Sequence, residues 1–286
     1  MIDVDPSVRA TQRRCNAELA RMTHPDPRTP EGLAEIRARP PEPADLVLTP
    51  VDLGHARMFV PDHPVGLVVR VHGGGFAVGT PAHDDRLNDR IARACRAVVV
   101  SPAYRLAPDV TLREEISDCV AAVRWAAARW PELPLVLAGT SAGAHLALSA
   151  AIRLRSEVPL AGMHLDCGRY DLAGTASARA ATEETLLLTR TWLDAFAELA
   201  LPGVIGDALR DPAFSPLYED LRGLPPALLT VGALDPLLDD SRLLAERLPD
   251  AELQIWPEAP HSFLSSGTPL AELAFTRVLD WIAARF

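Results

Sequence analysis

One five-residue pattern constrains this chain more than any other: Gly139-Thr140-Ser141-Ala142-Gly143, set between the apolar run Leu133-Pro-Leu-Val-Leu-Ala and an alanine- and leucine-rich stretch. Strand character before it and helical character after it place the serine on a tight strand-to-helix turn. A serine on such a turn takes a strained backbone conformation, and side chains two residues to either side would collide, so both positions call for glycine. The turn lifts Oγ clear of the sheet. The N-terminus of the following helix then faces the negative charge that develops when Oγ attacks a carbonyl.

Serine Oγ needs a base to take its proton, and an imidazole base works best when a carboxylate fixes its tautomer. Downstream, Asp235 stands in Val231-Gly-Ala-Leu-Asp-Pro and His261 in Glu258-Ala-Pro-His-Ser-Phe. Each follows a predicted strand, where loops gather at one edge of a sheet, and the chain order Ser, Asp, His suits a nucleophile elbow. The competitors are weaker. His145 is carried away from Oγ by the helix, Asp239 and Asp240 read as a helix start, and Glu258 is too local to approach the His261 ring from behind. For the oxyanion, His72-Gly73-Gly74-Gly75-Phe76 follows another predicted strand. Consecutive glycines let main-chain N–H groups of Gly73, Gly74 and Gly75 point into one cavity, with the N–H of Ala142 completing the set. A phosphate-binding loop is excluded, because Gly-x-x-x-x-Gly-Lys-[Ser/Thr] is missing and the chain contains no lysine.

Periodicity predicts a helix over 7–21 behind a serine cap, a proline-rich irregular arm over Pro25–Pro43 with a helical interruption at Gly32–Arg39, and strands at Asp45–Thr49 and His55–Val60. Strands at Gly66–His72, from Ala97, at Leu133–Ala138, Ala227–Gly232 and Glu252–Trp256 alternate with helices at Asp84–Cys95, Glu114–Arg129, Ser141–Leu154, Asp239–Leu248 and Pro269–Phe286. That rhythm predicts an α/β fold with a mostly parallel sheet covered on both faces. It lapses from about 168 to 223, apart from a helix expected at Thr182–Leu199 and an apolar piece at Val204–Leu209. Insertions this long usually act as lids or binding elements.

The motifs together resemble the hormone-sensitive-lipase family of serine esterases. These are His72-Gly-Gly-Gly-Phe, Tyr104-Arg-Leu-Ala-Pro-Asp109, Gly139-Thr-Ser-Ala-Gly143, Asp211-Pro-Ala-Phe-Ser-Pro216, Leu224-Pro-Pro-Ala227, Asp235-Pro-Leu237 and His261-Ser-Phe263. The resemblance runs from about residue 45 to the end of the chain. It implies an α/β-hydrolase fold at 44–286, with a helical cap built from the arm 1–43 and the insertion 168–223. It also implies hydrolysis of short- to medium-chain carboxylic esters through an acyl-enzyme, without a cofactor. On the family pattern Ser141 is nucleophile, His261 base and Asp235 orienter; Gly74, Gly75 and Ala142 are oxyanion donors, with Gly73 in the same loop. Phe76, Trp192, Phe196, Phe214 and Tyr218 are the aromatic candidates for the substrate pocket. Thr140, where the family commonly has an acidic residue, and Ala144, where it commonly has glycine, depart from the pattern beside the nucleophile. Amidase, deacetylase or acyltransferase chemistry would use the same acyl-enzyme, and a non-catalytic ligand receptor of this fold would be expected to lose a triad member.

Composition narrows the partners. A net charge of −10 with scattered acids argues against a nucleic-acid surface and against anionic membranes. The cysteines at 15, 95, 119 and 167 form no Cys-x-x-Cys, and no histidines stand at ligand spacing, so no metal is expected. With no basic, apolar leader at Met1 and no apolar run of membrane length, the expectation is a cytoplasmic protein with free thiols, acting on a small-molecule ester. The resemblance leaves room for a homodimer.

Overall fold

Branched apolar residues in short runs have no polar face, so they form strands buried on both sides. The computed structural model, covering residues 1–286, places four such strands in the interior of one sheet: β3 (Gly66–Val71), β4 (Ala97–Pro102), β5 (Leu135–Thr140) and β7 (Ala227–Gly232). With β1 (Val51–Asp52), β2 (Ala56–Phe59), β6 (Leu160–Asp166) and β8 (Ala251–Trp256) they make one eight-stranded sheet, ordered β1-β2-β4-β3-β5-β6-β7-β8. The pairings β1–β2 and β2–β4 are antiparallel and the rest are parallel.

Helices cover both faces. On one, α4 (Leu112–Arg129), α5 (Ala142–Leu154) and α8 (Leu238–Arg247) pack over Leu67, Val69, Leu137 and Leu229. On the other, α3 (Asp85–Ala94) and α9 (Pro269–Ala283) pack over Val68, Val99, Val136 and Leu228, joined by the N-terminal helix α1 (Pro6–Leu19) lying against α9. All parallel strands end at the same edge, so the loops after β3, β5, β6, β7 and β8 converge there. No helix is long and apolar enough to cross a membrane.

Several local expectations need correction. The cap of α1 is Asp5, whose carboxylate accepts from the Ser7 amide at 2.8 Å, with Pro6 opening the helix. The helical interruption is α2 (Pro30–Arg37), capped by Thr29, and its Ile36 is buried in the main core, so the arm is not merely irregular. Asp45–Thr49 is no strand: the Leu48 amide donates to Asp89 Oδ1 at 2.8 Å, Pro50 has no N–H to pair, and the edge strand starts only at Val51. β6 went unread in the sequence because Leu160-Ala-Gly-Met-His-Leu-Asp mixes glycine and ionisable residues into a buried strand. Between β6 and β7 lie the one-turn helix α6 (Ala176–Arg179) and α7 (Arg190–Ala200). The helix expected from Thr182 starts eight residues late. The Thr185 and Thr182 hydroxyls accept from the Thr182 and Glu184 amides and hold that stretch in turns, and Thr189 caps α7.

Candidate active site

Ser141 sits between β5 and α5 at φ 56°, ψ −120°. Its neighbours leave no room for side chains at the flanking glycines: a Cβ on Gly139 would lie 2.3 Å from the Gly143 carbonyl oxygen, and one on Gly143 2.2 Å from that of Val71. The Ser141 amide donates to the Asp166 carbonyl at 2.8 Å, which ties the turn to the end of β6.

Two more strand-end loops bring the partners. The loop after β8 is clasped from outside by α1, where Arg9 and Arg13 each reach Glu258 at 2.9 Å and Asn16 donates to the Glu258 carbonyl at 2.8 Å. It is bound to the loop after β7 by the Leu234 amide on the Ala259 carbonyl at 3.0 Å. Glu258 is thereby occupied with α1, away from the His261 ring. Asp235, its side chain fully buried, also accepts from the Leu237 amide at 2.8 Å. These ties set the distances. His261 Nδ1 lies 2.9 and 3.0 Å from the two Asp235 carboxylate oxygens, and Nε2 lies 2.9 Å from Ser141 Oγ. Carboxylate oxygens only accept, so Nδ1 carries the proton and Nε2 is free to accept from Oγ.

Burial pushes the His261 pKa down, but the charge and hydrogen bond of Asp235, with a further pull from Asp166, more than offset it; the ring titrates above its ordinary value. His145 stands elsewhere, its Nδ1 donating to the Arg169 carbonyl at 2.7 Å, and burial lowers its pKa to about 4. Asp239 lies in the first turn of α8, and the buried Asp240 accepts from the Tyr170 and Asp171 amides at 2.7 and 2.9 Å.

The glycine loop after β3 faces the serine. A Cβ on Gly73 would come within 3.5 Å of the Ser141 Cβ, and the amides of Gly73, Gly74 and Gly75 donate to no acceptor within the protein. The carbonyls of Gly73 and Gly74, by contrast, are used for bracing. The Ala77 and Val78 amides donate to Gly74 O at 3.1 and 2.9 Å, and His72 Nδ1 donates to Gly73 O at 2.8 Å. Tyr104 stacks on His72 at 4.3 Å and donates to its carbonyl at 3.0 Å, while burial lowers the His72 pKa to about 4, keeping it neutral. From α2, Arg37 donates to the Ala77 and Ala107 carbonyls at 2.9 and 2.7 Å. Tyr104 and Arg37 thus hold the loop from below and from the arm, roles visible only once the chain is folded.

Of the aromatic candidates, Phe196 on α7 is the one brought to the glycine loop, its ring against Gly75. Trp192 stands behind it, edge-on at 5.4 Å, with Nε1 donating to the Pro25 carbonyl at 2.9 Å, which joins the arm to the insertion. Phe76 is buried beneath the loop, edge-on to His145 at 5.1 Å. Phe214 packs half-buried on the main core. Tyr218 belongs to a turn lying on α5 and α8, its hydroxyl donating to Asp171 at 2.9 Å. Cys167 is a neighbour that spacing did not reveal: its sulfur lies within 4.8 Å of ligand atoms of Asp235 and His261. Burial raises this thiol well above its ordinary pKa, and Asp235 and His261 are engaged with each other, so it packs there as a protonated thiol.

Comparison with known proteins agrees with this architecture. The family profile described as alpha/beta hydrolase fold matches residues 68–265. A versiconal hemiacetal acetate esterase of Aspergillus parasiticus is 31% identical over 227 residues, 73% of this chain and 70% of that protein. The chain belongs to the hormone-sensitive-lipase-like α/β hydrolases. Among solved members of this group, a hormone-sensitive lipase from a metagenome library superposes with a TM-score of 0.82 at 28% identity, covering 99% of each chain. An acetyl-hydrolase of Streptomyces hygroscopicus is 33% identical over 199 residues, 67% of this chain and 66% of that protein. A FAD-linked oxidoreductase of Aspergillus terreus is 32% identical over 225 residues, and the chain spans 27% of its length.

Proposed function

We propose that this chain is a serine carboxylesterase that hydrolyses short- to medium-chain carboxylic esters through an acyl-enzyme. The observation that carries the reading is the unbroken hydrogen-bonded path from Asp235 through His261 to Ser141 Oγ, with three uncommitted glycine amides beside it. In this reading His261 Nε2 takes the Ser141 proton as Oγ attacks the ester carbonyl. Asp235 holds the ring in the needed tautomer and stabilises the imidazolium. The amides of Gly74, Gly75 and Ala142 receive the oxyanion, and each such donor is worth about 2.7–4 kcal/mol. His261 then protonates the departing alcohol, and a water activated by the same nitrogen releases the acid. The relatives named for acetyl esters favour the short end of the acyl range. Four unpaired cysteines, three of them buried, favour a reducing compartment such as the cytoplasm.

A p-nitrophenyl ester series from acetyl to palmitoyl, run with a matched anilide and with Ser141→Ala, tests the reading. Ester turnover greatest for short acyl chains, little anilide turnover and a loss of about 10⁶-fold in the variant are expected. Anilide turnover above ester turnover makes the enzyme an amidase, and activity retained in Ser141→Ala removes Ser141 as nucleophile.

A further inference from the structure

The edge of the sheet beneath the nucleophile turn is charged where a buried sheet is ordinarily apolar. Arg70, on the central strand β3, is only 2% exposed. Its Nη2 donates to Thr140 Oγ1, the residue before the nucleophile, at 2.9 Å, and its Nη1 pairs with Asp84. Thr140 is in register with Asp166 on β6, so both side chains rise from the same face of the sheet. Asp166 is 1% exposed and in no ion pair, with the Thr140 hydroxyl the polar side chain beside its carboxylate. A buried carboxylate without an ion-pair partner is costly, and the need for its charge nearby is one reason for such a group to persist.

We propose that Asp166 is a positioning residue of the esterase reaction, its main-chain carbonyl holding the Ser141 amide and its buried carboxylate supporting, alongside Asp235, the imidazolium that forms on His261. This rests on the catalytic reading given above. Groups on each neighbouring strand face Asp166. On β3, Arg70 is paired with Asp84, and on β6 itself His164 is held neutral by burial, which lowers its pKa to about 3. The Cys167 thiol stays protonated. After β7 stands Asp235, and after β8 stands His261. Burial lifts the Asp166 carboxyl to about 7; Arg70, His261 and a hydrogen bond from Thr140 pull it down and Asp235 pushes it up. Asp166 and His261 therefore each favour the ionised form of the other.

The test is the pH dependence of kcat/KM for p-nitrophenyl acetate in wild type, Asp166→Asn and Asp166→Glu, with folded sites counted by fluorophosphonate titration. Removing the negative charge lowers the pKa of His261, so the acid limb of Asp166→Asn moves to lower pH by about half a unit. Its plateau kcat falls by about threefold at unchanged KM, and Asp166→Glu moves the limb back toward the wild-type position. Should Asp166→Asn not fold, Asp166→Ser, smaller and equally uncharged, carries the same comparison. A folded uncharged variant whose acid limb coincides with that of wild type overturns the proposal while leaving the triad intact. Loss of the catalytic reading itself would show instead as wild type insensitive to fluorophosphonate.

Discussion

Gly75 meets the Phe196 ring of the insertion, and replacing it by alanine tests both the proposed oxyanion role of the glycine loop and the proposed cap. Its φ is +56°, a region where an L-residue is disfavoured by about 1–2 kcal/mol. A Cβ there would lie 2.2–2.5 Å from three ring carbons of Phe196, closer than any real contact, so either the ring or the loop must move. Phe196 is only 4% exposed and stands edge-on to Trp192, which is itself bonded to the arm, so the loop has the easier path. A loop displaced far enough to misplace one N–H loses about 2.7–4 kcal/mol of transition-state stabilisation. Gly75→Ala is therefore expected to reduce kcat for p-nitrophenyl acetate by about 10²–10³-fold, with folding stability reduced by only the ~1–2 kcal/mol of backbone strain. The double variant separates the causes. In a Phe196→Ala background the clash is gone, and adding Gly75→Ala should reduce kcat by about tenfold at most, a coupling visible in the cycle. A single variant within about threefold of wild-type kcat would refute the assignment of the Gly75 amide to the oxyanion; an equally large loss in both backgrounds would refute the role of the cap ring.

Three further outcomes follow from the same geometry. The folded pKa of His261 lies above its ordinary 6.5 and the base must be neutral, so kcat/KM should climb through a midpoint above pH 6.5; a midpoint below it would contradict the balance at Asp235. Asp235→Asn turns a two-oxygen acceptor into an amide and permits the wrong imidazole tautomer, for which a kcat loss of about 10⁴-fold with native circular dichroism is expected. Glu115, buried on α4 with one oxygen accepting from the Ala107 amide at 3.1 Å, has its carboxyl pushed by burial to about 9 against an ordinary 4.5. The folded protein holds a proton that the unfolded chain releases, so this group lowers stability progressively as pH rises from 4.5 to about 9. Glu115→Gln should accordingly raise Tm more at pH 8 than at pH 5; a pH-independent change would refute the shift.

The sequence alone carried the features whose causes are local. Gly139-Thr-Ser-Ala-Gly143 is a steric requirement of five consecutive residues, and the runs at β3, β4, β5 and β7 are mostly apolar, so both were legible without coordinates. The order of Ser141, Asp235 and His261, each just past a strand, was legible because parallel strands send their following loops to one edge. What escaped was whatever depends on neighbours distant in sequence. β6 hides glycine, histidine and aspartate in a buried strand, and its Asp166 and Cys167 gain meaning only beside Ser141 and His261. The clasp of α1 on Glu258, the grip of Arg37 on the glycine loop and the contact of Phe196 with Gly75 join segments with no periodic relation to one another. Local sterics and hydrophobic period thus determined the elements and the chemistry they offer. Packing alone decided which side chains press on the reacting groups, because burial and charge act through space and not along the chain.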